Sequence, residues 1–562
     1  MARITGKKTI FFVTSPRSPH KLKDEIGFLV DNFTGRTWDL ETQKEFYLKL
    51  AEQPFFGGSK TGDIGLKARD RINRAPKSLG LVDLKPTIQL TNTGKRFLYG
   101  KRPEEIFLRQ VLKFQLPSPY HLDTNNTFRV KPYLELMRFI YDFGSLSKNE
   151  IALFVLQLTD FKKYEAVKQK IEKFRKDVTR LKEQKASYKK LVLSTFNSEL
   201  TTLFAKEIKA NKISTRESEE VSLDKFIKTK RSNHLDYADA AIRYLRATGL
   251  FSIKPKTFKV YPIEEKIKDL EYVLTHTERD IKFYEAEEVY ESEYLFDPQK
   301  PGLLTDEKGP LIKKILTKSK NLVKNNLKDK DIEELKDIYS ELVTEKIAHF
   351  IDEEKKKLRT YQEYADILKT FDAIEKREIA DPPLFLEWNV WRAFAMLNDG
   401  EIVGNFTIDD DGVPLNGALG NMPDIACKYK DFETIVEVTT SSGHKQFEME
   451  GESVARHYGN LKRNTDKETY CIFIAPKLNV TTVSYYYSLY RMTIDQYGGQ
   501  AKIIPIALED FKKLLAHAYR ATEKPDATAI KKLFQDLSNL AVSAKSDTEW
   551  SSAISNRLAV PF

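Results

Sequence analysis

Cysteine is nearly absent: the 562 residues contain two, Cys427 and Cys471. Two thiols build neither a disulfide framework nor a four-thiolate zinc site, so a reducing compartment is expected, with both cysteines as strand-packing residues. No run of eighteen apolar residues occurs, which leaves no segment able to span a bilayer as a helix. The start, MARITGKKTIFFVTSPRSPHK, has only a short apolar stretch before Pro16, too short for a signal-peptide core. A cytoplasmic protein without a membrane partner is therefore expected. Mean hydropathy is -0.48, but 41% hydrophobic and 11% aromatic residues exclude a disordered chain. This length predicts two to four domains.

What is abundant is charge, and it is uneven. The net charge is +10. Residues 1–280 hold 54 Lys and Arg against 35 Asp and Glu, whereas residues 281–562 hold 38 against 47. A basic half joined to an acidic half suggests a polyanion-binding module linked to one whose carboxylates hold metal. The plainer reading is a solvated surface with uneven charge.

One pattern occurs twice in the basic half. A helix-like stretch from about Leu66 to Ser78 ends at Gly80, short β-runs flank Pro86, and a new helix opens near Thr93. Tyr237 to Thr248 likewise reads as a helix ending at Gly249, followed by the hairpin-like SIKPKTFKVYP and a helix from Ile263. Before it, Tyr133 to Phe143 is apolar-periodic, Gly144 breaks it, and Ser147 with Glu150 forms a capping-box signature. Helix, glycine stop, two strands and helix is a winged-helix layout, which predicts recognition subdomains at 1–125 and 126–280. The alternative is a small helical bundle. Residues 161–190 read as a basic helix, either along a phosphate backbone or as an internal strut.

The turn-rich stretch 281–305 reads as a linker, and 306–562 as a second domain: a helical lead-in at 306–380 and a core at 381–562. In that core, Leu384–Leu397 and Glu448–Asn460 read as helices. The runs at 401–408, 425–429, 434–439, 470–475 and 503–507 read as strands. The expected fold is thus multidomain, mainly α winged-helix modules plus an α/β domain with a mixed sheet. Trp388 and Trp391 read as core residues.

Chemistry is carried by Pro423-Asp424 at the start of one strand and Glu437-Val438-Thr439 near the end of the next, thirteen residues on. On adjacent strands, two such carboxylates share a face and suit a hard divalent cation. A carboxylate inside the apolar run Ile435-Val436-Glu437-Val438 is costly to bury without metal or partner.

These motifs resemble the PD-(D/E)XK nuclease core, with Thr439 where the pattern has lysine. The resemblance extends to the AlwI, PleI and MlyI group of type IIS restriction endonucleases and the related strand-nicking endonucleases. It rests further on Ser15-Pro16-Arg17-Ser18-Pro19, Arg69-Asp70-Arg71, Thr248-Gly249-Leu250-Phe251, Glu387-Trp388, Gly420-Asn421, Glu450, Arg456-His457 and Phe473-Ile474-Ala475-Pro476. It implies Asp424 and Glu437 as ligands of Mg2+, with Mn2+ as a substitute, and the Val438 carbonyl as a further oxygen. Glu387 resembles the additional acidic residue of such sites. Glu450 and His457 lie seven apart on one helix face, where His457 would orient or protonate an oxygen. Lys445 is the candidate replacement for the missing lysine.

Double-stranded DNA is the expected partner. The candidate contacts are Arg17, Arg69, Arg71, Asn73, Arg74 and Lys77 in the first module and Arg231, Asn233, His234, Arg243 and Arg246 in the second. The resemblance implies an asymmetric site such as GAGTC or GGATC, with cutting several base pairs outside it. One strand would be nicked, or both cut through a transient homodimer or a small partner subunit. The competing expectation is a non-catalytic winged-helix DNA-binding regulator with a decayed nuclease domain.

Overall fold

The computed structural model describes the chain except residues 1, 54, 57–61, 184–186, 216–217, 255–256, 320–321, 398, 419–421 and 562. Gly420-Asn421 and part of the SIKPKTFKVYP stretch therefore lie outside the described residues. The chain forms two compact units, residues 1–52 with 58–344, and residues 53–57 with 345–562. Among the described residues no helix is long and apolar enough to cross a membrane.

Helices dominate the first unit. Helix α1 (Ile64–Ile72) runs into a π-turn at Asn73–Lys77 that accommodates Pro76, and Gly80, at φ +66°, ends it. Strands β1 (Val82–Asp83) and β2 (Gln89–Leu90) pair antiparallel, and Thr91 caps α2 (Asn92–Tyr99) by accepting the Gly94 N–H at 2.9 Å. The second occurrence starts with α3 (Pro132–Phe143), stopped by Gly144, and α4 (Lys148–Leu153), opened by the Ser147–Glu150 capping box. Helix α5 spans Leu223–Arg246, well upstream of the expected start at Tyr237. Beyond Gly249, β3 (Phe251–Ile253) and β4 (Val260–Pro262) form a hairpin, and α6 (Ile267–His276) follows. The basic helix begins at Tyr164 and buries Tyr164, Val167, Ile171 and Phe174, so it is an internal packing element along one face.

Residues 281–305 are not an open linker. Tyr290, Tyr294 and Leu295 are buried there, clustered with Tyr120, and the Arg109 guanidinium donates to the Gln299 and Pro301 carbonyls at 2.6 Å. The division between the units also falls at 344, not 305. Residues 306–344 are tied into the first unit by Asp306, which takes Arg109 at 2.7 Å and Lys336 at 2.8 Å, while Lys336 also reaches Glu105 at 2.5 Å. Turn residues indicated an exposed connection, but buried tyrosines and paired charges hold it in place. With this division the first unit holds 65 basic against 49 acidic residues and the second 27 against 33.

The second unit is built on a five-stranded mixed sheet. Its helices α7 (Tyr364–Glu375) and α8 (Pro382–Leu397) precede the edge strand β5 (Glu401–Gly404). A small hairpin, β6 (Thr407–Ile408) with β7 (Pro414–Asn416), comes next. Then come β8 (Ile425–Lys428), β9 (Phe432–Val438), helix α9 (His444–Arg463), β10 (Glu468–Ala475), α10 (Val480–Arg491) and β11 (Ile503–Ala507). The spatial order is β11-β10-β9-β8-β5, antiparallel across β5-β8-β9 and parallel across β9-β10-β11. Strand β10 is buried along nearly its whole length, as a central parallel strand should be. Cys427 and Cys471 are free and buried within the strands, and Trp388 and Trp391 are core residues.

Candidate active site

The sheet register brings the two motif carboxylates together. Ile425 pairs with Val436, so one step further Asp424 stands opposite Glu437. Residues opposite each other on antiparallel strands share a face. The Val438 N–H donates to Asp424 Oδ2 at 2.7 Å, holding the carboxylate at the strand end. Beyond Glu437 the same row continues to Phe473, whose ring packs edge-on against Tyr486 of α10.

Glu387 arrives from α8. That helix is fixed on α7 by the buried Asn389, whose Nδ2 donates to the Ile367 carbonyl at 2.8 Å. Arg392 pairs with Asp366 at 2.9 Å and lies over the Trp388 ring at 4.5 Å. The Ala418 N–H approaches Glu387 Oε2 at 3.4 Å.

Helix α9 supplies the third side. Its start is anchored by the buried Gln446, which donates to the Ser441 and Lys477 carbonyls at 2.8 and 2.9 Å and accepts the Asn479 N–H at 2.8 Å. The expected two-turn spacing places both Glu450 and His457 toward the sheet. His457 Nδ1 lies 2.7 Å from Glu437 Oε1, and its buried Nε2 has no hydrogen-bond partner among the described residues. Thr439, in place of lysine, accepts the Ser441 N–H at 3.0 Å and hydrogen-bonds the Glu450 carboxylate.

Burial raises all four acids, and repulsion from neighbouring carboxylates adds to it at Glu387, Asp424 and Glu437. Glu387 and Asp424 stand well above ordinary carboxylate values through desolvation, reinforced by Asp424 on Glu387 and by Glu437 on Asp424. Desolvation and Glu450 do the same to Glu437, and desolvation raises Glu450. Burial pushes His457 down to about 4, which leaves the ring uncharged at neutral pH, and Nδ1 shares one hydrogen bond with Glu437 Oε1. Among the described residues none of the four acids forms a salt bridge with Lys or Arg. Lys445 is exposed on the first turn of α9 and perturbs none of them. A cation whose field stabilises ionised Glu437 is Arg456, a residue that carries part of the family resemblance but was assigned no role by it. Its signal was adjacency to His457.

This donor set fits a hard divalent cation: buried carboxylates that lack a Lys or Arg salt bridge among the described residues are what such an ion would offset. Among the described residues no three His, Cys, Asp or Glu side chains are already gathered as a ligand cluster. Mg2+ needs only one or two carboxylates with water and other oxygens, so Asp424, Glu437 and the Val438 carbonyl suffice in kind.

The expected DNA contacts divide sharply. Arg69, Asn73 and Arg74 are exposed on α1 and its π-turn, Arg74 paired with Asp70 at 2.9 Å and Asn73 accepting from Trp38 at 3.1 Å. Arg71 is bonded to the buried Glu25 at 2.9 Å, and Lys77 to Glu287 at 2.9 Å. Arg231 and Asn233 are partly exposed on α5. His234 and Arg246 are buried, His234 against the Ala152 carbonyl at 3.0 Å, which corrects their reading as candidate DNA contacts. They lie on the inward face of a helix whose true extent periodicity underestimated. Arg243 bonds Asp239 and Ser18 Oγ, and the Tyr244 hydroxyl donates to the Pro16 carbonyl, so the arm at 15–19 is docked on α5 with Arg17 exposed beside Asp236.

Residues 77–514 match the family model described as AlwI restriction endonuclease. No curated protein matches the chain. Among solved structures, the small subunit R.BspD6I2 of the heterodimeric restriction endonuclease R.BspD6I is 26% identical, covering 34% of this chain and 98% of that one, at a TM-score of 0.30. The BpuJ1 endonuclease binding domain in complex with modified DNA is 14% identical, covering 52% and 98%, at 0.33. Restriction endonuclease FokI is 12% identical, covering 94% and 99%, at 0.25. The family match spans most of the sequence and includes every acid of the site, and on that ground the chain belongs to the AlwI restriction endonuclease family and is a nuclease.

Proposed function

We propose that the protein is a type IIS site-specific DNA endonuclease. The first unit, with its helix-hairpin-helix repeats acting as winged helices, binds a short asymmetric duplex site; the second hydrolyses a phosphodiester several base pairs away. The observation that carries this is the convergence of Asp424 and Glu437 from adjacent strands with Glu387 and Glu450, buried and without a Lys or Arg salt bridge among the described residues.

Asp424, Glu437 and the Val438 carbonyl would hold Mg2+, or Mn2+ in its place. Such an ion, when bound, acidifies a water and offsets charge on the phosphate. His457 holds one oxygen of Glu437 and so fixes how that carboxylate is presented. Thr439 orients Glu450. Arg456, in the absence of the motif lysine, supplies positive charge near Glu437. One such site cuts one strand per engagement. The product is a nick, or a double-strand break when a second copy or a small partner subunit supplies a second site.

The test is incubation of supercoiled plasmid with Mg2+ and the full chain, beside Asp424→Ala and Glu437→Ala, with the cut positions mapped on both strands. Cuts at a fixed offset from one asymmetric sequence, lost in both variants, are expected. An unmodified protein that neither nicks nor cuts would return the protein to the non-catalytic regulator reading.

A further inference from the structure

Between β5 and Asp424 the chain makes an excursion whose two ends meet acids from different elements. At its start, the β5–β8 register pairs Gly404 with Ile425, which sets Asn405 opposite Asp424. The Asn405 backbone N–H donates to the Asp424 carbonyl at 2.9 Å, and its side-chain Nδ2 donates to the Pro423 carbonyl at 2.6 Å. Both carbonyls of the turn that presents the Asp424 carboxylate are thereby held by one residue.

At the other end β7 packs on α8 and carries Gly417 across Glu387. A Cβ on Gly417 would stand 2.6 and 3.0 Å from the two carboxylate oxygens, so a side chain there would push the Glu387 carboxylate out of place. The next amide, of Ala418, is the one that approaches Glu387 Oε2. The hairpin between these ends is braced internally: Asp409 accepts the Asp411 and Val413 N–H groups at 3.1 and 3.0 Å, and Gly412 turns at φ +79°.

We propose that residues 405–418 are a positioning clamp for the acidic site, in which Asn405 sets Asp424 and Gly417 sets Glu387 through a single braced hairpin. The inference rests on reading those acids as a metal-dependent cleavage site. Neither clamp residue touches the reacting atoms. Each acts through a carboxylate whose orientation decides how well an ion is held, and loss of such outer partners typically costs about 10–100-fold in metal affinity or activity.

The test uses the full chain, a plasmid carrying the mapped site, and the variants Asn405→Ala, Gly417→Ala, Glu387→Asp, the double variant G417A/E387D, and Asp424→Ala. Four quantities are read: kcat and KM for DNA across Mg2+ concentration, Mn2+ affinity by calorimetry, and Tm without metal. Asn405→Ala and Gly417→Ala are each expected to lower kcat and Mn2+ affinity by about 10–100-fold, with KM for DNA and Tm unchanged. In the Glu387→Asp background, whose carboxyl is withdrawn by one methylene, the Gly417→Ala penalty is expected to shrink below about threefold. Penalties that multiply in the double variant overturn the clamp, as do unaltered kcat and Mn2+ affinity in both single variants, or a fall in Tm that accounts for the lost rate. Asp424→Ala separates the two levels. Full cleavage by that variant defeats the reading of the site itself, whereas its inactivity beside unaffected clamp variants defeats the clamp alone.

Discussion

In the first unit Glu105 and Asp306 share two cations, with Arg109 and Lys336 at 2.5 to 2.8 Å. In the second, Asp424, Glu387, Glu437 and Glu450 crowd together with His457, an uncharged ring, as the near partner. In the first set the cations Arg109 and Lys336 are buried while Glu105 is half-buried and Asp306 exposed; the second set is buried, and burial penalises an unpaired charge. Where the acids serve the fold, the chain provides the opposite charge itself. Where it does not, the acids are kept repelling one another, a cost that makes sense if charge is delivered from outside.

The same chemical change should therefore have opposite effects in the two places. Asp424→Ala or Glu437→Ala is expected to lower cleavage at least about a thousand-fold while leaving site binding in a gel shift intact. Asp424→Asn, which removes one repelling charge, should raise the metal-free Tm. Asp306→Asn leaves Arg109 and Lys336 with Glu105 as their shared carboxylate and should destabilise the fold by about 1–3 kcal/mol in chemical denaturation. If both substitutions shift stability in one direction, the contrast between the units is wrong.

A smaller effect separates surface from buried basic residues. Arg69→Ala and Arg74→Ala are each expected to weaken DNA binding about tenfold and to reduce the salt slope of log affinity by about one. His234→Ala and Arg246→Met should lower Tm with the salt slope unchanged. The smallest effect is a pH dependence. Glu25, buried against Arg71, is pushed up to about 7 by desolvation. Its folded form keeps a proton that the unfolded chain releases near 4.5, so its contribution is fully present below that value and is lost as pH rises through about 7. Glu25→Gln should flatten Tm against pH across that window.

The acidic pair was legible because it is local. A carboxylate in an apolar run, and another at the start of the preceding strand, define a register that any antiparallel hairpin of those strands produces. Glu450 and His457 were legible for the same reason, since seven residues are two helical turns. The glycine stops at 80, 144 and 249 came from residue type alone. Asn405 and Gly417 left no such mark, because their contacts are to backbone or to a side chain far along the chain. That His234, a candidate DNA contact by sequence, is buried was not legible, because nothing within α5 announces which face α4 will cover.

The sequence by itself determined the elements, the family, and which acids would lie on one face, since each depends on spacing within a few turns or one hairpin. Only the tertiary structure decided which charges are neutralised. It moved the division between the units from 305 to 344, through contacts of Asp306 and Lys336 with residues some two hundred positions earlier. Charge composition records how many carboxylates there are; whether one is paired depends on what the folded chain brings within 3 Å of it.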